Sequence, residues 1–186
     1  MRPKLAIEDA QRGVIRGYAS VFGAADLSGD EVAPGAFAAS LMRRGAEGIK
    51  MLWQHDPGRP IGVWTRVLED RIGLYAEGRL ALGTSGGRDA HELILAGALD
   101  GLSIGFRTER AERPEARGPR GVKRRLTRID LWEISVVTFP MQERARITER
   151  RGGGGEGAAA LLAARIMNAA ASLMPVPGPR PAWNKR

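Results

Sequence analysis

The sequence contains no cysteine and only two histidines, His55 and His91, among its 186 residues. Disulfides and thiolate chemistry are therefore ruled out, and a structural zinc site has almost nothing to be built from. No apolar run reaches the roughly 18–20 residues of a membrane span, and the N-terminus lacks a signal-peptide core. These absences set the expectation of a soluble cytoplasmic protein without membrane contact. Aromatic residues are sparse, at 5%, and do not interleave with the basic ones, which argues against a stacking platform for single-stranded nucleic acid. Acidic residues are in deficit, 21 against 29 Lys and Arg, for a net charge of +8. The excess is local: residues 107–128 carry a net +6 and residues 150–186 a net +5, leaving the body slightly acidic. A solvated hairpin and a basic tail account for this. Contact with an acidic partner, or with nucleic acid by counterion release, is the competing account.

What is present reads as one domain with a core, followed by a tail. Residues 11–22 form a strand pattern and 23–33 a polar loop. Pro34 opens a short helix whose apolar face is Phe37, Leu41 and Met42, ending near Gly45. Asp26, Ser28 and Asp30 faintly suggest a calcium loop, but the glycine and terminal Glu spacing fail, so a plain loop is expected. Residues 49–54 predict a strand running into a turn at His55–Gly58. Residues 61–68 and 74–82 predict a hairpin. Thr84 or Ser85 caps a helix carrying Leu93, Ile94 and Ala98, which Gly101 stops. A charged loop is expected over 109–121, then strands at 122–129 and 131–139. The run Gly152–Gly157 predicts a flexible linker, 158–174 a marginal helix and 175–186 a disordered end. The expected domains are thus 1–150 and a Gly-rich linker with a flexible basic tail over 151–186. The fold class is α+β: a closed or nearly closed, mostly antiparallel β-barrel of about seven strands with flanking helices.

Chemistry centres on Gly101-Leu-Ser-Ile-Gly-Phe106. Leu102, Ile104 and Phe106 alternate with Ser103 and Gly105, so Ser103 points away from the buried side, and the two glycines leave room for a substrate chain. Gly-x-Ser-x-Gly matches a nucleophile elbow, but here a helix precedes the serine, and both histidines precede it too. A chymotrypsin-type site lacks its acid between histidine and serine. No phosphate-binding loop, dinucleotide fingerprint or Ser-x-x-Lys is present. A serine nucleophile needs a base, and the base needs an acceptor. His55 enters a turn at a strand end, while His91 lies in a helix beside Glu92 and is expected to face solvent. Glu133 interrupts an apolar strand, where a carboxylate is costly unless paired; Arg124, Arg125 and Arg128 are its alternative partners. By alternation Glu133 shares a face with Ser135, opposite Trp132 and Ile134.

Five blocks now line up: Gly17-Tyr-Ala-Ser-Val-Phe22, Val32-Ala-Pro-Gly-Ala-Phe37, Leu52-Trp-Gln-His-Asp56, Gly101 to Phe106, and Trp132-Glu-Ile-Ser-Val-Val-Thr-Phe-Pro140. In this order they resemble the prohead (capsid maturation) serine proteases of HK97-like tailed phages, over residues 12–147. The resemblance implies a fold related to the herpesvirus assembly protease and an endopeptidase that trims major capsid and scaffold proteins within the prohead, in the bacterial cytoplasm. It implies Ser103 as nucleophile, His55 as general base and Glu133 as third member, where herpesvirus relatives carry a second histidine. It implies no cofactor and no metal, and leaves homo-oligomerisation, the oxyanion donors and a phage, prophage or gene-transfer-agent origin open. Residues after 150 are then expected to deliver the enzyme to the immature shell and to be dispensable for its chemistry. The competing function is a non-catalytic β-barrel, a capsid scaffold or nucleic-acid-binding module using the 107–128 hairpin.

Overall fold

The computed structural model describes residues 13–113 and 121–150, with the side chains of 149 and 150 left aside. These residues belong to the unit Met1–Gly153; the second unit, Gly154–Arg186, lies outside the described residues. The expectations of linker, helix and disordered end after residue 150 therefore fall outside them as well.

In chain order the elements are β1 (Val14–Val21), β2 (Asp30–Val32), α1 (Ala38–Arg44), β3 (Lys50–Trp53), β4 (Asp56–Glu69), β5 (Gly73–Leu80), α2 (Ser85–Leu95), β6 (Gly101–Glu112), β7 (Arg124–Val137) and β8 (Ile147–Arg150). The sheet runs β2-β7-β3-β4-β5-β1-β8, with β6 on the other edge of β7. Only the pairings of β7 with β2 and β3 are parallel; every other ladder is antiparallel. The interior is filled by Trp64, Phe37, Ile61, Leu102, Leu126 and Ile134, all fully buried, and Trp64 Nε1 donates to the carbonyl of Ile134 at 3.2 Å. Burial of such side chains supplies on the order of 2 kcal/mol each, and it sets which face of each strand turns inward.

A mostly β fold with two helices is what the strand and helix patterns imply. The barrel, however, is open. Where closure would join β8 to β6, the ladder is reduced to one bridge, Gly101 opposite Arg146. It is flanked by Leu102 N–H to Ala145 O at 3.1 Å and Ile147 N–H to Asp100 O at 2.7 Å. Because the bridge is antiparallel, the ladder along β6 would continue through the residues before Ala145, and these form a turn closed by Ala145 N–H to Gln142 O at 2.9 Å. A cavity of about 220 Å³ is lined by Ala19 and Ser20 at the far end of β1 and by Ser103, Ile104 and Phe106 of β6.

Several local expectations are corrected. Residues 122–129 and 131–139 are one strand, β7, whose pairing with β6 skips Trp132 at a bulge; Trp132 is turned outward and does not share the face of Ile134. β6 runs on to Glu112, shortening the charged loop, whose residues 114–120 lie outside the described ones. The polar loop after β1 contains β2, placed by Asp30, whose carboxylate takes both Arg124 Nε and Nη2. At α1 the inward stripe is the fully buried N-cap Phe37 and Ser40 with the partly buried Leu41, three and four residues from Phe37, which leaves Met42 a further 100° round and exposed. Thr84 caps α2 as its sequence suggests, its hydroxyl accepting the Gly87 N–H at 3.1 Å. Gly97, at φ +77°, ends that helix, and Gly101 instead opens β6.

Candidate active site

Three strands converge on the residues of interest. β6 and β7 pair with Ser103 directly opposite Ser135 and Gly105 opposite Glu133. Residues facing each other across a ladder project to the same side, so Ser103, Ser135 and Glu133 share one face while Leu102, Ile104, Ile134 and Val136 share the other. β3 lies on the far edge of β7 in parallel register, Leu52 beside Ser135 and Trp53 beside Val136.

His55 arrives from the end of β3. The turn lies at Gln54 and His55, not at 55–58, because Trp53 already pairs with Asp56. Both turn residues have positive φ, 51° and 62°. A two-residue hairpin with both φ values positive normally carries Asn-Gly or a similar pair, and a side chain held there costs on the order of 1–3 kcal/mol. Hydrogen bonds to β7 and the residue after it offset the strain. Gln54 N–H donates to Val136 O at 3.0 Å and its side-chain amide to Thr138 Oγ1 at 2.9 Å. His55 N–H donates to Ser135 Oγ at 3.0 Å, and its Nδ1 lies 2.6 Å from Glu133 Oε1. At about 1 kcal/mol for neutral bonds and about 2 for the charged one, these are of the same order as the cost of two such residues. The conformation of His55 is imposed by its neighbours across the sheet.

Glu133 is buried, and its second oxygen accepts from the Ser135 hydroxyl at 2.6 Å. The carboxylate finds its partners in His55 and Ser135. Two of the arginines considered for it go elsewhere, Arg124 to Asp30 and Arg128 to Glu109. Gly105 provides the seat: a Cβ there would overlap Glu133 Oε1 and lie 2.7 Å from its Cδ. The room at Gly105, expected to admit a substrate chain, is thus filled by the protein's own acid. At Gly101 the same space holds the Val137 carbonyl and Pro140.

The hydrogen bond to Glu133 raises the His55 pKa above its ordinary value; partial burial opposes this and the charge of Glu133 adds to it. With a carboxylate on Nδ1, that nitrogen carries the proton in the neutral ring, which leaves Nε2 as a free base. The His55 side chain is 41% exposed, while Ser103 is 3% exposed and among the residues lining the cavity. His91 sits on α2, 3.5 Å from Glu92, with its side chain only 14% exposed. It does not face solvent as expected, because it flanks the buried stripe of Gly87, Ala90 and Ile94.

Sequence reasoning passed over Ser135 as a member of this network. Its only signal is the i, i+2 spacing from Glu133 on a strand. Among the described residues, no group of three or more His, Asp or Glu could hold a metal ion, and no helix is long and apolar enough to cross a membrane.

The family model of the caudovirus prohead serine protease matches residues 3–154. The chain belongs to that family. It is 35% identical over 143 residues to the prohead protease of Enterobacteria phage HK97, covering 75% of this chain and 60% of that protein, so it spans about three fifths of that relative's length. Among solved structures it is similar to the KSHV protease in complex with a hexapeptide phosphonate inhibitor, with 12% identity and a TM-score of 0.45. It is also similar to the varicella-zoster virus protease, with 11% identity and a TM-score of 0.44; each match covers 83% of this chain and 76% of the other. The prohead protease family model spans β1 to β8 and both helices, and so takes in all three residues of the Ser103, His55 and Glu133 set.

Proposed function

We propose that this chain is a serine endopeptidase that trims the major capsid protein, its scaffold, or both, during prohead maturation in the bacterial cytoplasm. The observation that carries the reading is the His55 Nδ1–Glu133 Oε1 contact of 2.6 Å, held on the face of β7 that looks onto Ser103. In this reading His55 Nε2 takes the proton of Ser103 Oγ as that oxygen attacks the scissile carbonyl carbon, giving a tetrahedral intermediate. The imidazolium then returns the proton to the leaving amine, and the acyl-enzyme forms. Water, deprotonated by the same nitrogen, releases the product. Glu133 keeps the proton on Nδ1 and favours the imidazolium, in line with the raised pKa of His55. Residues 151–186 act in delivery and not in the chemistry.

The scaffold or nucleic-acid module has less support. Arg124 and Arg128 of the basic stretch are engaged with Asp30 and Glu109, and an orienting pair such as His55–Glu133 has no task in a binding module. Co-expression with the capsid gene of the same locus tests the proposal. Wild type is expected to shorten the capsid protein, and Ser103→Ala, still folded, to leave it full length. Undiminished trimming by Ser103→Ala ends the serine-protease reading.

A further inference from the structure

Ser135 is the one fully buried hydroxyl in the network, with 0% of its surface exposed. Its proton is committed to Glu133 Oε2 at 2.6 Å, and its oxygen accepts the backbone N–H of His55 at 3.0 Å. The same atom thus holds the acid by one end and the backbone of the base by the other. It does so at the register position directly opposite Ser103. A hydroxyl can donate only once, so Ser135 has no proton left to give His55 Nε2 and cannot stand in for Ser103.

Without this oxygen, two groups lose a partner together. The His55 N–H loses the acceptor that helps to hold a residue at φ 62°, and Oε2 loses its donor, freeing the carboxylate to rotate about its own axis. Two independent contacts, one to each member of the pair, fix a single His–Glu geometry. The fixing atom is itself fully buried on a strand paired on both edges.

We infer that Ser135 is a positioning residue of the catalytic set: its hydroxyl locks the His55 backbone and the Glu133 carboxylate into the geometry that activates Ser103. This rests on the proposed function, since it assigns Ser135 a role in that same chemistry.

The test uses the full chain and a fluorophosphonate probe, with the adduct located by mass spectrometry. Wild type is expected to be modified at Ser103. Ser135→Ala should slow that reaction by tenfold or more, while Ser135→Thr, which keeps the hydroxyl, should stay within about threefold of wild type. In a Glu133→Ala background, Ser135→Ala should cost less than it does alone, because the contact through the acid is already gone and only the His55 N–H contact remains to be lost. The low-field Nδ1–H proton resonance of His55, assigned by its loss in His55→Ala, should weaken in Ser135→Ala and persist in Ser135→Thr. Should Ser135→Ala fail to fold, Ser135→Cys takes its place and is expected to fall between the other two. An adduct at Ser103 formed at the wild-type rate by Ser135→Ala, or losses that multiply with Glu133→Ala, overturns the inference and leaves the proposed function standing. If wild type forms no adduct at Ser103, the proposed function fails first, and a His55 resonance unchanged in Ser135→Ala then also removes the positioning role.

Discussion

Gly105→Ala is the most discriminating single change outside the proposed catalytic set. Gly105 does not have positive φ, so alanine fits its backbone, and any effect must come from the methyl group. That methyl would lie 2.7 Å from Glu133 Cδ and 2.9 Å from Cγ, besides overlapping Oε1. Carbon atoms pack at about 3.5–4.0 Å, so the carboxylate must retreat by roughly 1 Å. The 2.6 Å contacts from Glu133 to His55 Nδ1 and to Ser135 Oγ cannot both survive this. A misplacement of about 1 Å costs about 10²-fold in rate, and loss of an orienting acid about 10⁴-fold. Ser103 should therefore react with a fluorophosphonate some 10²- to 10⁴-fold more slowly, or about 2.7–5.4 kcal/mol of barrier. Stability should fall far less than activity. Weakened hydrogen bonds to the carboxylate cost about 1–3 kcal/mol, a drop in thermal midpoint of about 2–12 °C for a chain of this size. In a Glu133→Ala background the methyl has nothing to displace, and Gly105→Ala should change the labelling rate by less than threefold. A Gly105→Ala protein that labels within threefold of wild type would refute the claim that this glycine seats the acid.

The raised pKa of His55 fixes the sign of two pH effects. Labelling of Ser103 needs the neutral imidazole, so its rate should rise with pH through a midpoint above the ordinary value of about 6.5, and Glu133→Gln should lower that midpoint; equal midpoints in the two proteins count against the pairing. The stability contributed by protonated His55 runs the other way, being complete below about pH 6.5 and lost as pH rises through the folded-state value, which thermal midpoints measured across that range should show. His91→Ala should change the labelling rate by less than about tenfold; a loss as deep as that of His55→Ala means that the base has been misassigned. A chain ending at Arg151 should label at the full-length rate but enter capsids poorly, as read by the amount of protease in purified proheads, and its failure to fold would show that the tail belongs to the core.

Much of the placement of strands along the chain was legible because it depends on local alternation and turn chemistry. The β4–β5 hairpin and the Thr84 cap both follow from residues within a few positions of one another, whereas Ser103 on β6 is more deeply buried than Ile104 and Phe106, against the alternation. What was not legible depends on register between distant segments. No local pattern announces that Gly105 faces Glu133 or that Ser103 faces Ser135, since each pairing joins residues some thirty positions apart. The open seam is of the same kind. The turn before Ala145 stops the ladder along β6, but that matters only once Arg146 is known to face Gly101. The turn was misplaced for a different reason. Asp56-Pro57-Gly58 has the composition of a turn, whereas Gln54-His55 has that of a strand; contacts from β7 override both preferences.

That override explains why the proposed base comes from a strained turn. β3 runs parallel to β7, with Leu52 beside Ser135, so simple continuation of the strand would carry residue 55 three positions beyond Ser135. At about 3.3 Å per residue this is about 10 Å too far along the sheet. Glu133 lies two positions in the opposite direction, which lengthens the gap. An orienting hydrogen bond cannot span such a distance. Two consecutive left-handed residues reverse the chain at once and set the His55 N–H on Ser135 and its ring on Glu133. A looser turn with ordinary dihedrals would relieve the strain but add residues between Trp53 and the return strand, shifting the register of β4 and with it the burial of Ile61 and Trp64. The strain at His55 is what allows one short hairpin to keep its core register and still set the imidazole on the Glu133 carboxylate of β7.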